Sequence, residues 1–89
     1  MAWRIEFDPA AEKELDQLDP QQAKRILKFL FERVPNLDHP RVIGEALKGS
    51  RLGEFWKYRV GDYRIICMIE DSGIRVLVIR IVNRREVYR

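Results

Sequence analysis

The chain has 89 residues, enough for one domain with one modest core, and its 46% hydrophobic and 35% charged residues describe a folded, soluble protein rather than a disordered one. No run reaches the ~20 apolar residues of a membrane span. The opening "MAWRIEFDP" mixes charge with apolar groups and is not expected to be a signal peptide, and the single cysteine, Cys67, excludes an internal disulfide, so a cytoplasmic location is expected. The net charge is +3, but residues 57–89 carry +4 and the first 56 carry −1, and seven of the eight basic residues in the later stretch are Arg. The guanidinium fork suits phosphate. A polyanionic partner, nucleic acid or an acidic peptide, is therefore expected, beside the plainer reading of a solvated sheet face.

In chain order, Trp3, Ile5 and Phe7 alternate with Arg4 and Glu6, which predicts a short half-buried strand. Asp8-Pro9 then opens a helix as N-cap and first helical residue, with Ala11, Leu15 and Leu18 on one face. Asp19-Pro20 opens a second by the same logic. There Ala23, Leu27, Leu30, Phe31 and Val34 form the apolar stripe, and Val34-Pro35-Asn36 ends the helix. Residues 36–54 read as a loop with a helical turn near Glu45 to Leu47, long enough to suggest a job or mobility. Three strands follow at about 54–60, 63–70 and 75–82, joined by "VGDY" and "EDSG". The expected fold is a single α+β domain over residues 1–89, ordered β-α-α-β-β-β. A two-helix hairpin packs on one face of a mainly antiparallel four-stranded sheet.

Strand alternation assigns the charges. Trp56, Tyr58 and Val60 share one side of their strand, with Phe55, Lys57 and Arg59 on the other. Tyr63, Ile65, Cys67 and Ile69 face the helices, leaving Arg64, Ile66, Met68 and Glu70 on the far side. In the last strand Leu77, Ile79 and Ile81 are expected in the core, with Arg75 sharing their parity. Val76, Val78, Arg80, Val82 and then Arg84 face away. Lys57, Arg59, Arg64, Arg80 and Arg84 thus gather on the face that the helices do not cover, interleaved with apolar groups. Tyr88 in the tail either stacks on a base beside this patch or packs against the sheet edge.

Cleaving an RNA phosphodiester requires deprotonation of the 2′-OH, neutralisation of the phosphorane and protonation of the 5′-oxygen. Clustered Arg and Lys perform the second step. Lys57, flanked by Arg59 and Arg64, is the candidate for proton transfer. His39 lies in "LDHPR" with no second ligand at metal spacing, Cys67 has core parity, and Gly44, Gly49 and Gly53 make no P-loop, so neither metal nor cofactor is expected.

The stretch "ALKGSRLGEFWKYRVGDYRIICMIED" followed by "VLVIRIVNRREVYR" resembles the RelE/ParE superfamily of toxins from toxin–antitoxin pairs. The shared pattern is Leu-Lys-Gly, an aromatic-basic strand, Gly-Asp-Tyr-Arg and a final Arg-Arg-Glu-Val-Tyr-Arg. "WRIEFDPAAEKELDQLDP" matches the family's first strand and helix start. The resemblance implies a RelE-like microbial ribonuclease fold and, in the RelE branch, a metal-independent endoribonuclease that cuts mRNA in the ribosomal A site by 2′-OH attack. By motif it implies catalytic roles for Lys57, Arg59, Arg64, Arg84 and Tyr88: Lys57 and Arg59 as candidate base and phosphate contact, Arg64 at the transition state, Arg84 in leaving-group or phosphate stabilisation, and Tyr88 stacking on or orienting the substrate base. Lys48, Arg51, Arg80 and Arg85 would contact RNA. Arg59 stands where the RelE pattern has lysine, and Asn83 where many relatives place His or Lys. The implied partners are a cognate RelB-like antitoxin that folds on binding, the ribosome and mRNA, and operator DNA only through the toxin–antitoxin complex. The alternatives are a ParE-like inhibitor of DNA gyrase, or a catalytically degenerate module that binds RNA or antitoxin.

Overall fold

The computed structural model describes residues 3–47 and 55–84. Its strands are β1 (Arg4–Phe7), β2 (Glu45–Ala46), β3 (Phe55–Val60), β4 (Tyr63–Glu70) and β5 (Arg75–Asn83), and its helices α1 (Pro9–Asp16) and α2 (Pro20–Lys28). The sheet order is β1-β5-β4-β3-β2, with β1 parallel to β5 and the other neighbours antiparallel. The sheet therefore has five strands. The extra one, β2, occupies the segment expected to be a helical turn near Glu45.

Both helix starts form as their sequence dictates. Asp8 accepts from the Ala10 N–H at 3.1 Å and Asp19 from the Gln21 N–H at 3.2 Å, and each is followed by proline at the first helical position. After Lys28 the second helix widens into a π turn (Phe29–Arg33) and closes with a 3₁₀ turn (Val34–Asn36). Its buried line is Ile26, Leu30 and Val34, a strict four-residue spacing. Such a line drifts around an α-helix of 3.6 residues per turn, and the wider π turn brings it back over the sheet. The expected stripe is corrected accordingly: Ile26 replaces Leu27 as the core residue, and Phe31 stays 51% exposed, stacked on Phe7 at 6.1 Å.

Tyr58, Val60, Ile65, Cys67 and Ile69 complete the core from β3 and β4, as their alternation requires. β5 departs from its expected parity. Ile66 pairs with Arg80 but Cys67 pairs with Val78, so Ile79 is an extra, bulged residue. Val76, Val78 and Ile81 are consequently the core residues, Leu77 opposes the outward Met68, and Arg75 faces outward opposite Glu70. β1 stops opposite Val78, which leaves the rest of β5 an edge. Glu14 of α1 covers it by accepting the Ile81 N–H at 2.9 Å.

Candidate active site

β3 and β4 meet in a hairpin whose turn contains Gly61 at φ +59. Arg59 of β3 stands directly opposite Arg64 of β4, and two residues back Lys57 faces Ile66. Two like charges at opposed positions destabilise a sheet. Here Arg64 is also 4% exposed, a nearly buried cation. Lys57, Arg59 and Arg64 line one cleft of about 310 Å³ together with Tyr58, Gly44 and Glu45. Of the residues the sequence singled out, the structure brings these three together. Arg84 leaves β5 beside the same hairpin, its N–H donating to the Asp62 carbonyl at 2.7 Å.

The fourth wall is built by the long loop. Its Pro40 carbonyl accepts from the Tyr58 hydroxyl, and its Ile43 carbonyl accepts from Trp56 Nε1 at 2.8 Å. Burial pushes the Tyr58 phenol up, so the hydroxyl stays a donor. Gly44 sits at φ +83, and a Cβ there would lie 2.5 Å from the Lys57 carbonyl oxygen and 2.7 Å from Trp56 Nε1. Only glycine permits that conformation and that approach. The loop is thereby clamped onto β3, and β2 pairs Glu45 with Lys57 across the ladder. The Glu45 carboxylate lies 3.4 Å from Lys57 Nζ, with 64% of its side chain exposed.

A second groove of about 450 Å³ adjoins the cleft at Arg59 and runs toward the helices, lined by Arg25, Lys28, Phe29, Glu32, Arg33, Val60 and Gly61. The π turn closes from residue i to i+5, which puts Arg33 one turn beyond Lys28. None of Arg25, Lys28, Arg33 and Arg59 belongs to an ion pair among the described residues.

The remaining candidates fall elsewhere. Arg80 lines neither cavity; its Nε and Nη2 grip the Glu14 carboxylate at 3.0 to 3.2 Å. Burial pushes the Glu14 carboxyl up, but the Arg80 hydrogen bonds and the Ile81 N–H outweigh it and hold the group below its usual range. Lys48, Arg51, Arg85 and Tyr88 lie outside the described residues. His39 accepts the Arg41 N–H on Nδ1 at 3.1 Å and so donates from Nε2 to Asp71 at 2.9 Å. Both its nitrogens are committed to holding the loop. Cys67 is buried, and burial pushes its thiol up.

Sequence reasoning missed Glu45 and the helix cations. Arg25 and Lys28 were visible as a basic pair at helical spacing. Glu45 was marked only by its place after a glycine in a loop too long to be idle.

Residues 5–88 match the model of the family described as the ParE toxin of type II toxin–antitoxin systems, parDE. The chain is 27% identical over 89 residues to Toxin RelG of Mycobacterium tuberculosis, covering all of this chain and 99% of that one. It is 30% identical over 87 residues to Toxin RelE of the same organism, covering 98% and 87%. Among solved structures, the toxin–antitoxin complex RelBE2 from M. tuberculosis superposes with a TM-score of 0.82 at 24% identity, covering 94% of this chain and 93% of that one, which shows the shared fold. A match over nearly its whole length, with the described fold to go with it, places this chain in the RelE/ParE family as a toxin of a type II toxin–antitoxin system.

Proposed function

We propose that the toxin is a metal-independent endoribonuclease that cuts mRNA in the ribosomal A site and so halts translation. The observation that carries this reading is the convergence of Lys57, Arg59 and Arg64 on one cleft, with two arginines opposed across the ladder. Two guanidinium groups so opposed can both donate to the oxygens of one phosphate. A phosphodiester passing through the phosphorane gains charge there, so the same cations bind the transition state more tightly than the substrate. Arg64 and Arg59 would hold the phosphoryl oxygens, Arg84 would stabilise the leaving oxygen, and Tyr88 would stack on a base. The groove with Arg25, Lys28 and Arg33 would carry the neighbouring backbone, with Lys48, Arg51 and Arg85 as further RNA contacts. The partner is a cognate RelB-like antitoxin whose segment folds over the toxin in the cytoplasm, and operator DNA is met through that complex.

A ParE-like reading, inhibition of DNA gyrase, is favoured by the description of the matched family. Primer extension on a reporter mRNA in a translating extract separates the two. Cuts at A-site codons that need both ribosomes and Arg64 support the endonuclease. Intact mRNA together with inhibited supercoiling supports the gyrase reading.

A further inference from the structure

We propose that the groove beside the cleft is a subsite for the RNA nucleotide that adjoins the cut, its base stacked on Phe29 and its phosphate held by Arg25, Lys28 and Arg33; this rests on the endonuclease reading. The groove and the cleft share Arg59, so a strand whose scissile phosphate lies in the cleft can run on into the groove along a continuous cationic surface. The groove's volume of about 450 Å³ is in the range that takes one small organic ligand. Arg25, Lys28, Arg33 and Arg59 line it, none of them in an ion pair among the described residues, and Glu32 is the one carboxylate in the described lining. Charge alone would suit any polyanion. The aromatic ring in the lining narrows the choice to a nucleotide.

Phe29 opens the π turn, and its carbonyl accepts the Val34 N–H. Arg25 stands one helical turn before it and Arg33 one after, so a guanidinium flanks the ring on either side along the helix. The ring meets Tyr58 edge to face at 5.4 Å and is half-buried, so the core fixes it while it still lines the groove. Arg25 reaches the far wall. Its Nη1 lies 3.0 Å from where a Cβ on Gly61 would stand, so the missing side chain leaves the guanidinium its place over the hairpin turn. An aromatic ring on a cationic track is how single strands are held, because every base offers a π face while its phosphate meets the cations. Glu32 accepts where its neighbours donate, which suits an amino group of the same base. An acidic peptide would satisfy the cations and leave the ring without a stacking partner.

The test is a coupling cycle on ribosomes programmed with mRNA that carries a 2′-deoxy sugar at the cut, so that binding is read without cleavage. Bases in and beside the A-site codon are removed one at a time to leave abasic sugars, and wild type, Phe29→Leu and Phe29→Tyr are titrated onto each message. Stacking of one base on an aromatic side chain strengthens binding by roughly 5- to 100-fold. One abasic position next to the cut is therefore expected to weaken wild type and Phe29→Tyr by at least ~5-fold and to leave Phe29→Leu within about twofold. Each comparison is made within one protein, so any stability lost with the ring cancels. Lys28→Gln with Arg33→Gln, two exposed positions, should weaken binding to every message alike. If no abasic position separates wild type from Phe29→Leu, Phe29 is a core residue only and the proposal is overturned. It is equally overturned if a polyglutamate peptide, and no message, tells those two proteins apart, or if the Lys28 and Arg33 substitutions leave binding unchanged. If wild type leaves the all-ribose message intact, the endonuclease reading falls and takes this proposal with it; a message that is cut without coupling at Phe29 sinks the subsite alone.

Discussion

The two ends of the sheet treat positive charge in opposite ways. At the β4–β5 end the cations are matched by carboxylates. Arg75 reaches Glu6 on one neighbouring strand and Glu70 on the other, and Arg41 holds both oxygens of Asp71 at 3.0 Å while His39 donates to the same carboxylate. At the β3–β4 end, Arg59 faces Arg64, the adjoining groove adds Arg25, Lys28 and Arg33, and Glu45 is the one carboxylate lining the cleft among the described residues. The first arrangement closes a turn and ties the long loop down. The second leaves Arg25, Lys28, Arg33 and Arg59 outside any ion pair among the described residues, which is what the proposed RNA site requires. On the proposed function, the cations left outside ion pairs take the ligand and those matched by carboxylates serve as a brace.

The comparison is broken or sharpened by substitution at each end. The largest effect is expected from Arg64→Ala. Loss of one transition-state donor costs about 10²–10³-fold in rate, which single-turnover cleavage reads directly. Next comes Gly44→Ala. Forcing a side chain into this left-handed position costs of order 1–3 kcal/mol before the clash with β3 is added. Chemical denaturation should show that loss, and cleavage should fall because Glu45 and the cleft wall move together. Glu14→Ala leaves the Ile81 N–H without its acceptor, a loss of ~1–3 kcal/mol. Because the folded Glu14 carboxyl is depressed, its contribution is complete above the ordinary carboxylate value and disappears as pH falls through the folded value. The gap between wild type and Glu14→Ala should therefore be widest near neutrality and close in acid. Smallest in stability is the double change Lys28→Glu and Arg33→Glu. Both residues are exposed, so unfolding should shift by no more than about 0.5 kcal/mol per site. Binding to single-stranded RNA should nevertheless weaken, and its salt dependence should flatten by ~0.7 for each phosphate no longer neutralised.

Much of this was legible in the chain because the determinants are local. Asp8-Pro9 and Asp19-Pro20 start their helices, Gly61 closes the hairpin, and Tyr58, Ile65 and Cys67 alternate into the core. The misses have longer-range causes. Residues 76–82 are apolar on both faces apart from Arg80, so alternation could not reveal that Ile79 bulges and reverses the residues before it. Phe31 and Ile26 are equally good stripe members until the π turn decides between them. β2 is two residues long, below any periodicity, and exists because Gly44 lets the loop touch β3. Lys57, Arg59 and Arg64 could be placed on one face from sequence, but the carboxylate that completes their cleft comes from a segment twelve residues before Lys57 and is joined to it only by the fold.

The most direct test sets one arginine from each end side by side, Arg59→Ala and Arg41→Ala, in ribosome-dependent mRNA cleavage and thermal unfolding. Arg59→Ala is expected to lower cleavage by at least ~10-fold without lowering the melting temperature, since it is exposed, lacks an ion-pair partner among the described residues and stands opposite another cation. Arg41→Ala is expected to lower the melting temperature and leave cleavage nearly intact. The reverse pattern, stability lost at Arg59 and cleavage lost at Arg41, would contradict the assignment of brace and site to the two ends of the sheet.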